Sequence, residues 1–187
     1  MLAVTEPITT TRLTLRPFTP DDFEALHAYR SLPEVVRYLY NPPADLALTR
    51  EILDKRLQQT ALENEGDALA FAITRSQDGA LIGDCGLFWT SRQHRGGEVG
   101  YVLNPDHHGH GYATEATREL LRLGFDQAGL HRIVGRLDGR NHASAQVLAR
   151  LGMRREAHLI KNEFVKGEWT DEIIYAILAD EWTTQNP

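Results

Sequence analysis

A chain of 187 residues, 42% hydrophobic and 25% charged, is long enough to bury one sizeable core without disulfide or metal staples, and its composition excludes a disordered or fibrous class. Its formal net charge of −6 argues against a broad phosphate-binding surface, so no nucleic-acid partner is expected, and a cationic partner suits it better. The one cysteine, Cys85, can form no internal disulfide. The N-terminal MLAVTEPITTTRL lacks a signal-peptide pattern, and no apolar run approaches the roughly 18 residues of a membrane span. One domain over residues 1–187, in the cytoplasm and without a membrane partner, is the expectation.

In chain order, residues 12–18 (RLTLRPF) alternate as a half-buried strand. Thr19 as N-cap, Pro20 at the first helical position and Asp22 near the positive end then open a helix. Pro42 and Pro43 break the chain. Residues 45–64 resume a helix with Leu46, Ile52, Leu53 and Leu57 at helical spacing, and Gly66 is expected to end it. ALAFAITR, LIGDCGLFW and EVGYVL, separated by SQDG and QHRGG, predict a three-strand antiparallel meander from residue 68. Residues 112–129 predict a long helix with Ala113, Ala116, Leu120 and Leu123 on one face and Gly129 as its stop. HRIVGRL predicts a strand, and NHASAQVLARLG a short helix capped by Asn141 and closed at Gly152. Residues 157–164 and 171–178 are two last strands around a turn at Lys166 and Gly167. The fold class is α/β (α+β), a mixed, mostly antiparallel sheet of about seven strands flanked by helices.

The stretch HHGHGYAT, residues 107–114, admits two chemistries. His107, His108 and His110 could be metal ligands, but they lack the HExxH spacing and a nearby third ligand type, so no metal is expected. A loop entering a helix also presents free backbone amides and the positive end of the helix dipole to an anion, and Gly109 and Gly111 remove the Cβ atoms that would keep a phosphate away. A plain turn is the simpler alternative. Walker A and GxGxxG patterns are absent, which disfavours nucleotide hydrolysis and dinucleotide binding.

His108-Gly-His-Gly111-Tyr-Ala113 resembles the pyrophosphate signature (Q/R)xxGx(G/A) of the GNAT superfamily of acetyl-CoA-dependent N-acetyltransferases, with His108 in place of the usual Gln or Arg. EVGYVLNP followed by GHGYATEA, the early TTRLTLRPFTPDD, Asn141-xx-Ser144-xx-Val-xxxx-Gly152-Met153 and EFVKGEWTDEIIYAIL resemble the RimJ/RimL branch. The likeness covers roughly residues 10–178. It implies a GNAT fold, acetyl-CoA as co-substrate, and an amine acceptor. That acceptor is expected to be a protein N-terminal α-amine, with a small amine (polyamine, amino sugar, antibiotic or toxin) or a non-catalytic acetyl-CoA sensor as alternatives. A homodimer is a candidate assembly.

The resemblance also implies roles. Backbone amides at Tyr101, Val102 and Leu103 would meet the pantetheine arm and thioester carbonyl, and preorganised donors of that kind are often worth ~3 kcal/mol each. Gly109, His110, Gly111, Tyr112, Ala113 and Thr114 would hold the pyrophosphate, and Asn141 the cofactor's arm. An acceptor amine needs a proton acceptor. Glu98 and Glu163 compete for that task, with Glu163 preferred and a surface charge or a cross-strand ion pair as the bland readings. The helix tyrosine that many relatives use as acid has no counterpart between Tyr112 and Tyr175. Ser144 takes its place, though a serine there can equally bond its own helix. Trp89, Phe88 and Tyr38 are expected to line the acceptor pocket.

Overall fold

The computed structural model describes residues 2–185. Its main sheet has the strand order β2-β3-β5-β6-β7-β8-β10-β9. The strands are β2 (Ile8–Thr9), β3 (Leu13–Arg16), β5 (Ala68–Arg75), β6 (Leu81–Ser91), β7 (Gly96–Leu103), β8 (Arg132–Asp138), β9 (Arg154–Val165) and β10 (Glu168–Leu178). Every neighbouring pair is antiparallel except β7 and β8. This is the mixed, mostly antiparallel sheet expected from the sequence. Its eighth strand is the two-residue β2, too short to leave a period in the sequence. A separate ribbon pairs β1 (Leu2–Ala3) with β4 (Ala61–Leu62).

Helices cover both faces. On one lie α4 (Tyr112–Arg122), α5 (His142–Arg150) and α6 (Ala179–Gln185), where Ala116, Leu120, Leu121, Leu148 and Trp182 share a core with Leu69, Phe71, Leu87 and Val99. On the other lie α1 (Phe23–Arg30), the single turn α2 (Pro33–Val36) and α3 (Leu46–Gln58), where Leu26, Tyr29 and Leu53 pack on Phe18 and Ala72. This double cover explains why β5 is buried along nearly its whole length rather than at alternate residues. Thr19 and Asp22 form a capping box ahead of α1, and Asn141 caps α5 by accepting from the Ser144 N–H at 3.1 Å.

Three expectations are corrected. The helix predicted to run to residue 64 stops at Gln58, because the next residues are claimed by backbone pairing: Ala70 N–H donates to Gln59 and Val4 N–H to Thr60. Gly66, at φ +96°, turns the chain into β5 instead of ending α3. Leu46, counted among the apolar stripe, is exposed. The short helices α2 and α6 carry no amphipathic period long enough to read. The long helix does extend through residue 127, but its last turn, Leu123–Gln127, is a π-turn.

The α1/α3 layer is fastened to the sheet by a buried carboxylate. Asp84 on β6 accepts from Arg30 of α1 at 2.6 Å, from Arg56 of α3 at 3.0 Å and from the Tyr29 hydroxyl at 2.7 Å. Burial alone would push Asp84 up, but the charges of Arg30 and Arg56 outweigh it and hold the carboxyl below its ordinary range. Its stabilisation is therefore complete above the ordinary carboxylate range and is lost only as pH falls through the depressed value. Asp84→Asn is expected to destabilise the fold by about 3–5 kcal/mol, since two guanidiniums lose their counter-charge. Urea unfolding of the two proteins at pH 7 measures this, and a cost near zero contradicts it.

Candidate active site

The parallel pair β7–β8 holds for only three registered positions, Gly96 with Arg132, Gly97 with Ile133 and Glu98 with Val134. Beyond them β7 stays with β6 up to Leu103, opposite Gly83, while β8 stays with β10 up to Asp138, opposite Glu172. The two strands part, and a wedge opens between residues 99–103 and 135–138. Alternate peptide groups of each strand face into the wedge without a sheet partner, as strand geometry requires. An extended chain with amide groups of its own fits such a gap.

The helical face of the wedge is crossed by one side chain. The Tyr101 hydroxyl donates to the Ser144 carbonyl at 3.1 Å and accepts from Ser144 Oγ at 3.0 Å. Burial pushes the Tyr101 phenol up to about 12, against the pull of its bond with Ser144, so it is protonated at neutral pH. Glycine at 135 lets α5 lie close here, since a Cβ there would come within 2.7 Å of Leu148.

At the end of β7 the chain runs through Asn104 into the glycine loop and α4. The His108 ring bonds the Leu103 carbonyl at 3.2 Å and the His110 ring bonds the His108 carbonyl at 2.8 Å, so both histidines brace the loop. Gly109 and Gly111 have φ of +79° and +80°, a region glycine enters without penalty. Among the described residues the N–H groups of residues 109–114 make no hydrogen bond, and the buried Thr114 Oγ1 also has no partner. Unpaired amides at the positive end of an eleven-residue helix, with a spare hydroxyl beside them, suit a diphosphate.

On the opposite face of the wedge lies a cleft of about 130 Å³, lined by Tyr38, Tyr40, Glu98, Arg136, Glu163 and Glu172 among others. Arg136 Nε donates to Glu172 at 2.6 Å, and its Nη2 is 3.8 Å from Glu163. Burial raises the Glu98 carboxyl above its ordinary range; Arg136 opposes this and the charge of Glu172 adds to it. Lys166, at the β9–β10 turn, donates to the carbonyls of Val36 at 2.6 Å and Arg37 at 3.2 Å. This holds residues 38–40 beside the cleft.

The structure thus gathers Glu98, Glu163 and Tyr38 in the cleft, Tyr101 and Ser144 across the wedge, and residues 109–114 at its end. Asn141 stands at the α5 cap with its carbonyl oxygen engaged. Val102 packs toward the α1/α3 layer and Leu103 into the main core, which leaves their backbones for the wedge. Phe88 is the cross-strand neighbour of Glu98 but does not line the cleft. Trp89, one residue on, is turned to the opposite face and packs against the main core, with its indole N–H donating to the Ser91 carbonyl. Arg136, Glu172, Tyr40 and the Tyr101 hydroxyl were not foreseen. The first two meet through the β8–β10 register, which no local pattern encodes.

Residues 12–154 match the acetyltransferase (GNAT) domain family. The uncharacterized N-acetyltransferase YnaD of Bacillus subtilis (strain 168) is 34% identical over 94% of this chain and 98% of its own length. Among solved structures, a GNAT-family acetyltransferase from Bacillus anthracis superposes with a TM-score of 0.83 at 32% identity, covering 94% of this chain and 100% of that one. The spermidine N-acetyltransferase of Vibrio cholerae, solved with CoA and spermine, superposes with a TM-score of 0.78 at 23% identity over 93% of this chain and 99% of that one. At that identity the last shares the fold alone.

Because the Arg136 charge lowers the Glu98 carboxyl while burial and Glu172 raise it, Arg136→Met is expected to move the Glu98 titration further upward. Carbon-13 carboxyl NMR of the two proteins reads this directly; an unchanged or lower midpoint contradicts the electrostatic picture of the cleft.

Proposed function

The chain belongs to the GNAT acetyltransferase family, and on that premise we propose that it acetylates the primary amine of a small polycationic acceptor of the polyamine kind. It is an acyltransferase enzyme of the N-acetyltransferase type, and acetyl-CoA is the co-substrate of that type. The observation that carries the acceptor class is the charge of the cleft, where Glu98, Glu163 and Glu172 surround the single Arg136. A protein N-terminal α-amine, the acceptor implied by the RimJ/RimL likeness, brings one positive charge and needs one carboxylate. A polyamine brings several.

Acetyl-CoA supplies the acetyl group as a thioester. The amides of residues 109–114 would hold its diphosphate, and the unpaired peptides of residues 99–103 would bind the arm and the thioester carbonyl in the wedge. Asn141, its side-chain oxygen spent on capping, has its amide N–H left for the arm. The arrangement favours Glu98 over Glu163 as proton acceptor. Glu98 stands where β7 and β8 part, with a carboxyl raised by burial, whereas Glu163 sits on the outer hairpin facing Arg136. As the amine nitrogen bonds to the acetyl carbon and the carbon–sulfur bond breaks, Glu98 would take the amine proton, directly or through water. The Tyr101–Ser144 hydroxyl pair would return one to sulfur. Ser144 alone, its hydroxyl proton directed at Tyr101, is the inner half of that donor.

Glu98→Gln is expected to lower kcat by about 10²-fold or more. Wild-type kcat/KM should rise with pH through the raised Glu98 pKa, since only the ionised carboxylate accepts a proton, and this acid limb should vanish in the variant. The same result in Glu163→Gln alone would reverse the two roles. A thiol-release assay over spermidine, spermine, an amino sugar and a peptide with a free N-terminus tests the acceptor: higher kcat/KM for the polyamines is expected, and preference for the peptide overturns the proposal.

A further inference from the structure

Arg12, just before β3, lies outside the roles assigned so far, yet it touches the glycine loop from behind. Its Nε and Nη2 reach Glu115 Oε2 at 2.8 and 2.7 Å, and its backbone N–H donates to Glu115 Oε1 at 2.8 Å. The Thr10 hydroxyl donates to the same Oε1 at 2.6 Å. Burial would raise the Glu115 carboxyl, but the bonds from Thr10 and Arg12 outweigh it and hold it below its ordinary range. Glu115 itself belongs to the first turn of α4, with its N–H on the Gly111 carbonyl at 3.0 Å. The remaining arm of the guanidinium, Nη1, donates to the His110 carbonyl at 2.8 Å. The plane of Arg12 lies 5.0 Å over the Tyr112 ring, on which His110 also stacks.

The bond to His110 has a geometric consequence. No described peptide is cis, and in a planar trans peptide the carbonyl of one residue and the N–H of the next point in opposite directions. With the His110 carbonyl drawn to Arg12, the Gly111 N–H points away from Arg12, to the other side of the loop. Nothing at position 111 itself would resist a flip of this peptide, because glycine tolerates either orientation. The hold must come from elsewhere, and the rigid guanidinium fork, locked by Glu115, provides it.

We propose that Arg12, clamped by Glu115, is a positioning residue that fixes the His110–Gly111 peptide with the Gly111 N–H aimed at the diphosphate of acetyl-CoA. This rests on the reading of residues 109–114 given above. Arg12 acts here through direction and not through charge, since the Glu115 carboxylate neutralises its cation.

The test uses CoA and pantetheine, which lacks the diphosphate, titrated calorimetrically into wild type, Arg12→Lys, Glu115→Gln and the double variant. Each single variant is expected to weaken CoA binding, and to raise KM for acetyl-CoA, by about tenfold, the scale of one charge-assisted hydrogen bond. Pantetheine binding should not change, kcat should stay within about twofold, and the double variant should be no worse than either single one. If Glu115→Gln instead leaves CoA affinity intact or improves it, Arg12 acts by charge on the phosphate and the positioning role is overturned. Lower unfolding midpoints by circular dichroism with unchanged KM would also overturn it, leaving a structural clamp. If wild type binds pantetheine as tightly as CoA, the diphosphate loop itself fails, and this inference with it. Retained CoA-over-pantetheine selectivity in both variants sinks only the inference.

Discussion

The structure depends on one short stretch of parallel pairing. Three registered positions join β7 to β8, and then each strand follows its antiparallel neighbour in a different direction. A sheet that stayed paired would bury its amides in its own ladder. One that never paired would leave two separate sheets with no fixed gap between them. Pairing that begins at Gly96 and stops at Glu98 produces a wedge of fixed position with free peptide groups on its walls. Glu98, the last paired residue, is thereby carried to the point where the gap opens.

The wedge is useful only if its flanks stay in place, and polar contacts hold them. Asp84 ties α1 and α3 to β6, opposite Val102 on β7. Tyr101 ties β7 to α5 through Ser144. Lys166 ties the β9–β10 turn to the carbonyls of Val36 and Arg37 at the end of α2. Each joins elements distant in sequence. Apolar packing sets the layers at their approximate spacing; directional polar bonds then fix angles that packing leaves loose.

What could be read from the sequence follows from this division. The meander of β5, β6 and β7, the helix from Tyr112, the Asn141 cap and the turn at Lys166 and Gly167 are written in local period and turn chemistry, and the structure has them. The length of α3 was misread because residues 59–62 are helix-compatible by composition but are captured by β1 and β5 across the chain. Within the site, Glu98, Glu163, Ser144 and the glycine loop carry a motif and could be singled out. Arg136 and Glu172 could not, since they meet only through strand register. A strand reverses faces at every residue, so the adjacent aromatics Phe88 and Trp89 point to opposite faces of the sheet, which their composition alone does not reveal.

The charge balance of the molecule also becomes intelligible. A protein of net charge −6 would repel a polyanionic co-substrate if it had to bind it through bulk electrostatics. In the proposed arrangement the anion is met by neutral donors, the free amides of residues 109–114 and the end of the α4 dipole, whose field fades within about one helical turn. No excess of lysine is needed there, and the guanidinium that bonds the His110 carbonyl, Arg12, is matched by Glu115. The carboxylates around Arg136 are then free to attract a cation on the opposite face of the sheet. Backbone recognition of the acyl carrier is what allows an acidic acceptor cleft to sit beside it, because the two sites draw on different sources of charge and do not cancel across the wedge.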